Sequence, residues 1–199
     1  MRKMAASDVD EVLAIEDAVQ AYPWTRGNFS DALDSGYLCY VDECNGKICS
    51  YAVLMAGVDE AELLNMAVAA EHRRKGMGSR MLMAVLQIAC DRGLPRVLLE
   101  VRASNLAAIS LYRLVGFAEV SVRRNYYRNA SGSEDAIVMA CDIPSPLAHD
   151  GTTSQSTKPA SVQVAGYLPQ VGEVDMSVAG ANSASLTQTG ERSGGRDCG

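Results

Sequence analysis

The run Arg73-Arg74-Lys75-Gly76-Met77-Gly78-Ser79 stands between an apolar, strand-like stretch (Leu63 to Ala70) and an apolar, helix-like stretch (Met81 to Cys90). A glycine-rich turn that follows a strand and opens a helix predicts an α/β chain with an anion held at the turn. The first N–H groups of a helix have no partner within it, and the helix dipole favours negative charge there. The two glycines let a ligand approach the backbone, and three flanking cations add attraction for phosphate. The turn therefore predicts a site for a phosphorylated cofactor. It is not a Walker A loop, which needs G-x-x-x-x-G-K-[ST]. Nor is it a dinucleotide fingerprint, because Met81 stands where the third glycine belongs. What remains is R-x-x-G-x-G from Arg73, which taken alone also reads as a basic, solvated turn before an ordinary helix.

The 199 residues, 48% hydrophobic and 21% charged, suffice for one soluble domain with a full core. A net charge of −6 argues against non-specific nucleic-acid binding and suits a basic partner. No apolar run approaches the roughly eighteen residues of a membrane helix. Met1 to Asp10 has no signal-peptide h-region. The expectation is a cytoplasmic monomer with no membrane or direct nucleic-acid contact. The six cysteines, Cys39, Cys44, Cys49, Cys90, Cys141 and Cys198, form no C-x-x-C pair. Asn45-Gly46 predicts a two-residue hairpin pairing Cys44 with Lys47 and Asp42 with Cys49, so no two cysteines face each other. They read as reduced, mostly buried thiols, and no metal is expected.

Composition shifts near Ile143. From Pro144 to Gly199 the chain is rich in Ser, Thr, Gly and Ala, with five acids and three bases and no sustained apolar period. This predicts a domain over 1–143 and a disordered tail over 144–199. Before the boundary the elements alternate. Lys3 to Ala5 reads as a short strand, and Ser7 as the cap of a helix to Val19 with Val9, Val12, Leu13, Ile15 and Val19 on one stripe. Thr25 caps a second helix to Leu33. Strands follow at Tyr37–Asp42, Lys47–Met55 and Glu60–Val68, then the glycine loop and a helix ending at Gly93. Arg96–Arg102 is a strand, Ser104–Val115 a helix, and Glu119–Tyr127 and Asp135–Cys141 a final pair of strands. The order is β-α-α-β-β-β-α-β-α-β-β.

Three residues near one strand–helix junction carry candidate chemistry. Glu100 interrupts the apolar strand Val97-Leu98-Leu99-Glu100-Val101. A carboxylate there is costly unless it faces outward or has a task, and a partly buried carboxylate suits a general base. Asn105 and Tyr112 lie seven residues apart, on one face of the next helix. Taken singly, Tyr112 reads as a core aromatic and Asn105 as a cap.

Several separated motifs then share a resemblance. Leu64-Asn65-Met66-Ala67-Val68, the block from Leu99 to Asn105, Ala107-Ala108-Ile109, Leu111-Tyr112, Gly116-Phe117, Arg123-Arg124-Asn125-Tyr126-Tyr127 and Glu134-Asp135-Ala136-Ile137 resemble the RimI family of the GNAT superfamily of N-acetyltransferases. The resemblance covers residues 1–143. It implies the GNAT fold, an α/β (α+β) architecture with a mixed central sheet of about seven strands flanked by helices. It implies acetyl-coenzyme A as co-substrate and, as protein partner, the N-terminal peptide of small-subunit ribosomal protein eighteen, acetylated on its alanine. Carried over by position, Glu100 is the expected general base and Tyr112 the general acid. Met66, Ala67 and Val68 are expected to present backbone groups to the pantetheine arm. Arg73, Arg74, Lys75, Gly76, Met77, Gly78 and Ser79 are expected to hold the pyrophosphate, and Asn105 to hydrogen-bond the cofactor. Trp24, Tyr126 and Tyr127 read either as packing or as the lining of a peptide groove. Glu134 and Asp135 are placed to meet the arginine that follows the substrate alanine. The tail from Pro144 departs from the family.

Overall fold

The computed structural model describes residues 1–129 and 132–144; the expected tail from residue 145 lies outside them. The chain runs β1 (Arg2–Lys3), a 3-10 turn (Ala6–Asp8), α1 (Val9–Val19), α2 (Arg26–Asp34), β2 (Leu38–Cys44), β3 (Lys47–Ala56), β4 (Ala61–Val68), a second 3-10 turn (Ala70–His72), α3 (Met77–Asp91), β5 (Arg96–Arg102), α4 (Leu106–Val115), β6 (Ala118–Asn129) and β7 (Gly132–Asp142). The order of elements is the one the sequence predicts. The seven strands form one mixed sheet in the order β1-β2-β3-β4-β5-β7-β6. Only β4 and β5 run parallel.

Two cores sit on opposite faces. Helices α3 and α4 bury Met81, Leu82, Val85, Ile109 and Leu111 against Leu63, Met66, Val97, Leu99, Val101 and Met139. Helices α1 and α2 bury Val9, Val12, Ile15 and Phe29 against Val41, Tyr51, Val53, Leu64 and Ala67. The second core takes no residue from β5, β6 or β7. Among the described residues, no helix therefore covers the C-terminal half of the sheet on that face.

Local departures from the expected elements have local causes. The first helix is entered through the 3-10 turn, so Asp8, not Ser7, stands at its N-cap position; the Asp8 carboxylate makes no cap bond to the helix and instead closes the 3-10 turn by accepting from the Ala5 N–H at 2.7 Å. Thr25 caps α2 as expected, accepting from Asn28 N. Asn45 and Gly46 both adopt left-handed backbone (φ 54° and 76°), the requirement of the predicted two-residue turn. Cys44 pairs with Lys47 as expected, but a bulge after Asp42 pairs that residue with Ser50 instead of Cys49. The bulge also brings Cys44 beside Cys49, so two cysteines of this hairpin are neighbours after all. Burial, then Cys44, pushes the Cys49 thiol up to about 12, and burial pushes Cys39 up to about 11. These thiols stay protonated at neutral pH.

A buried polar network joins α1 to the sheet. Glu16 is fully buried. It accepts from Trp24 N at 2.8 Å, from Asn65 Nδ2 at 2.9 Å and from the Tyr51 hydroxyl. The Tyr51 hydroxyl also lies 3.3 Å from Asn65 Oδ1. Burial raises the Glu16 carboxyl above its ordinary range, and the three donors offset part of that shift. One side chain thus ties the connection between α1 and α2 to the middle of β4. Replacing it removes the shared acceptor of three donors, of which the Tyr51 hydroxyl keeps Asn65 Oδ1 within reach. Glu16→Ala is expected to lower folding stability by about 3 kcal/mol, read by denaturant unfolding, with a change in the emission of Trp24, the only tryptophan. Unchanged stability would show that the network contributes nothing net.

Candidate active site in the parted sheet

Strands β4 and β5 pair over three residues only: Ala61 with Val97, Glu62 with Leu98, Leu63 with Leu99. Beyond Leu63 they part. The cause is in β4, where Leu64 is an extra residue between the pairs Leu54–Leu63 and Val53–Asn65. A bulge bends its strand and ends pairing. Past the bulge, β4 stays paired to β3 as far as Val68, while β5 stays paired to β7 as far as Arg102. The edge of Met66-Ala67-Val68 that faces β5 therefore has no strand partner. It is where an extended ligand arm can add its own hydrogen bonds. The Val68 carbonyl is taken by Arg73 Nε at 3.3 Å.

The glycine loop closes one end of this gap. Gly76 is left-handed (φ 74°) and immediately precedes α3. Arg74 is also left-handed (φ 56°), a conformation costing a non-glycine residue on the order of 1 kcal/mol. The first bond back to the loop is Arg80 N to Gly76 O at 3.0 Å. The N–H groups of Met77, Gly78 and Ser79 precede it and have no carbonyl in their own helix. The sequence places α3 from about Met81; the structure starts it at Met77, so the second glycine and Ser79 lie in its first turn. Arg80 anchors that turn to β2 through an ion pair with Asp42, which also pairs with the N-terminal ammonium at 3.3 Å. Arg80 is a residue the sequence reading missed.

Glu100 lies on β5 just beyond the last pair with β4. Its Oε1 pairs with Arg123 Nη1 at 2.7 Å, and its Oε2 is buried with no hydrogen-bond partner among the described residues. The ring of Tyr126 lies under Arg123, 5.2 Å from the guanidinium carbon. Burial and the charge of Glu100 raise the Tyr126 phenol above its ordinary range. Tyr112, on α4, is fully buried in the α3–α4 core, 5.8 Å from Phe117 between ring centres, and its hydroxyl has no partner among the described residues. Burial, then the field of Tyr127, raises this phenol well above its ordinary range. It keeps its proton at neutral pH. Asn105 performs the capping role open to it in the sequence. Its Oδ1 caps α4, accepting from Ala108 N at 3.1 Å, and its buried Nδ2 has no partner among the described residues.

Two adjacent tyrosines would ordinarily point to opposite faces of a strand. In β6 a bulge between Arg123 and Tyr127, with Asn125 left-handed (φ 54°), changes that. Asp135 Oδ1 holds the bulge by accepting from Asn125 N at 2.8 Å. Tyr126 then lies against Glu100 and Arg123, while Tyr127 packs 4.2 Å from the Arg102 guanidinium. Tyr22, from the connection after α1, packs on the same guanidinium at 4.3 Å. This contact bridges the two halves of the sheet and carries no signal in the sequence. Glu134 accepts from Ser104 N at 2.6 Å and pairs with Arg102 at 3.4 Å, so both its oxygens are used within the protein. Trp24 is half-buried against Phe29, 5.3 Å between ring centres, in the N-terminal core.

The free edge of β4 leads directly into the loop that opens α3, and the orphaned amide of Asn105 and phenol of Tyr112 belong to the segment that follows β5, the other strand of the parting. Residues 9–117 match the acetyltransferase (GNAT) family, and the chain belongs to that family. It is 39% identical over 140 residues, 70% of this chain and 95% of the relative, to the [ribosomal protein bS18]-alanine N-acetyltransferase of Escherichia coli K12. It is 31% identical over 141 residues to the putative enzyme of the same name from Bacillus subtilis, covering 92% of it. The crystal structure of the Escherichia coli ribosomal-protein-S18-alanine N-acetyltransferase matches with a TM-score of 0.68 at 35% identity, over 74% of this chain and 97% of that one. The same fold appears in a phosphinothricin acetyltransferase from Sinorhizobium meliloti in complex with AcCoA, at 19% identity and a TM-score of 0.63 over 76% of this chain and 91% of that one.

Asn105→Asp separates the two functions of this side chain. The capping oxygen is kept and the free amide donor is lost. The variant is expected to melt within a few degrees of the parent and to bind acetyl-coenzyme A about tenfold more weakly. Calorimetry checks both, and unchanged cofactor affinity would confine Asn105 to capping.

Proposed function

We propose that this protein transfers the acetyl group of acetyl-coenzyme A to the N-terminal alanine of ribosomal protein bS18. The observation that carries this reading is the agreement of two independent facts. The chain follows the Escherichia coli enzyme of that name over 95% of its length at 39% identity. The two groups an amine acetylation needs, an unpartnered carboxylate oxygen on Glu100 and an unpartnered phenol on Tyr112, flank the parting of β4 and β5.

Acetyl-coenzyme A supplies a thioester carbonyl and a thiolate leaving group. Each protein group then has one task. Backbone groups of Met66, Ala67 and Val68 hold the pantetheine arm, in place of the missing strand. The N–H groups opening α3 hold the pyrophosphate, with Arg73, Arg74 and Lys75 adding positive charge and Asn105 adding its free amide. The uncovered face of β5 to β7 forms the peptide groove, lined by Tyr126 and Tyr127. Trp24 shapes its edge through its bond to Glu16, and Glu134 fixes the turn after β5. Glu100 takes a proton from the incoming ammonium, directly or through water, so that a neutral amine attacks the carbonyl. Tyr112 gives its proton to the sulfur as the C–S bond breaks. The second proton of the attacking nitrogen then restores the phenol, directly or through water, and Glu100 passes its proton to solvent; each turnover releases one net proton, and no acyl-enzyme forms. Most of the rate comes from holding two substrates in line.

The test is thiol release from acetyl-coenzyme A with a peptide beginning Ala-Arg-Tyr. Wild type is expected to turn over. Glu100→Gln and Tyr112→Phe are each expected to lose about 10²-fold or more in kcat while still binding acetyl-coenzyme A. Because a peptide amine has a pKa of about 8, kcat/KM is expected to rise with pH until the amine is neutral. Cofactor binding without turnover on this peptide overturns the substrate assignment.

A further inference from the structure

The groove floor holds a second carboxylate that the catalytic scheme leaves unused. Glu62 stands on β4 in register with Leu98 of β5. Side chains two residues apart on a strand share a face, so Glu62, Leu98 and Glu100 lie on the same side of the sheet. Glu62 and Glu100 are diagonal neighbours about 7–8 Å apart between Cα atoms. That side is the one the α1–α2 layer leaves uncovered beyond β4.

The charges around Glu62 are otherwise committed. On β5, Glu100 is matched by Arg123 of β6. Arg102 is matched by Glu134 and packed on Tyr22 and Tyr127. On β7, Glu134 and Asp135, the two acids expected to meet a cationic peptide, accept from Ser104 N and Asn125 N. Glu62 is half-buried and forms no ion pair or hydrogen bond among the described residues. Burial and the negative charge of Glu100 raise its carboxyl above the ordinary range; Arg123 lowers it and Glu60 adds slightly to the rise. Of the four carboxylates named, Glu100 and Glu134 are paired with guanidiniums and Asp135 accepts from a backbone N–H, which leaves Glu62 as the one answered by neither among the described residues.

We propose that Glu62 is a substrate-recognition residue: it attracts the charged, unacetylated amino terminus to the mouth of Glu100 and releases the product once that charge is gone. This rests on the reading of the protein as an N-terminal acetyltransferase. Acetylation turns an ammonium into a neutral amide. The attraction of Glu62 is therefore present for substrate and absent for product. The attacking amine is neutral, so this attraction serves the ground state and not the transition state. Its loss raises KM and does not lower kcat, because an attraction made only in the ground state opposes the chemical step.

The experiment compares wild type, Glu62→Gln and Glu62→Asp in two assays. In the first, calorimetry with coenzyme A present measures binding of the Ala-Arg-Tyr peptide and of its N-acetylated form, with no turnover. Wild type is expected to prefer the ammonium form. Glu62→Gln is expected to bind the ammonium form about tenfold more weakly and the acetylated form unchanged, and Glu62→Asp to recover most of the loss. In the second, steady-state kinetics are expected to show KM for the peptide raised about tenfold by Glu62→Gln, with kcat not lowered and KM for acetyl-coenzyme A unchanged. A wild type with no preference for the ammonium form overturns the proposal. So does an equal loss on both peptides, or a fall in kcat without a change in KM. A Glu62-dependent preference in a wild type that never acetylates the peptide upholds the recognition role and overturns the enzymatic reading instead.

Discussion

Everything functional in this molecule depends on two neighbouring parallel strands ceasing to be neighbours. A sheet that opens in its middle should be costly, because backbone groups lose partners on both sides. The cost is contained because each half is complete without the other. β4 is held by seven pairs to β3, and β5 by seven pairs to β7. One inserted residue, Leu64, redirects β4. From that point the α3–α4 core and the α1–α2 core serve different halves. The first spans the gap from below, taking Met66 and Val68 from one side and Leu99 and Val101 from the other. The second ends at β4. The result is a rigid slot with a floor and one open flank.

The Glu16 network explains how the open flank keeps its shape. An apolar side chain at this position of α1 would pack as well, and buried charge is weak evidence of stability in itself. What an apolar residue could not do is fix three elements in register at once. Glu16 accepts from the Trp24 backbone, from Asn65 in β4 and from Tyr51 in β3. Asn65 is the residue after the bulge and precedes Met66. The peptide-side connection and the strand edge facing the cofactor are therefore positioned by one carboxylate, and a displacement of either is felt by the other.

The sequence makes the large features legible because they rest on local rules. Thr25, the Asn45-Gly46 turn and the Gly116 stop each require a particular backbone conformation, which local residue type supplies. The glycine loop is legible for the same reason, and Asn105 at a helix start predicts a cap that proves real. The features that build the groove are not local. The extra residue at Leu64, the bulge after Asp42 and the turned segment around Asn125 exist only relative to a partner strand. Nothing in Leu63-Leu64-Asn65 alone says which residue is surplus. Glu16 did leave a signal, since it falls four residues after Val12 and three before Val19 on an otherwise apolar stripe. A carboxylate at such a position should be read as a buried acceptor in search of donors. Glu62 left none, because its neighbour Glu100 lies across the sheet and not along the chain.

The placement of the proposed base and acid follows from the same parting. Val97, Leu99 and Val101 face the α3–α4 core, so Glu100, between Leu99 and Val101, faces the open groove. Tyr112 belongs to the core on the other side of the sheet. One group sits among charged and polar neighbours and the other among apolar ones, which is how two proton-transfer groups in one site are given different tasks. In a closed sheet they would have no common reactant, since a continuous ladder of backbone bonds would separate them. The slot between β4 and β5 is the passage through that ladder. In the proposed reaction an acyl group lying in it is approached by an amine from the groove side and reaches the phenol on the core side. Direct transfer between two substrates, with no residue carrying the acetyl group, is the chemistry such a passage permits.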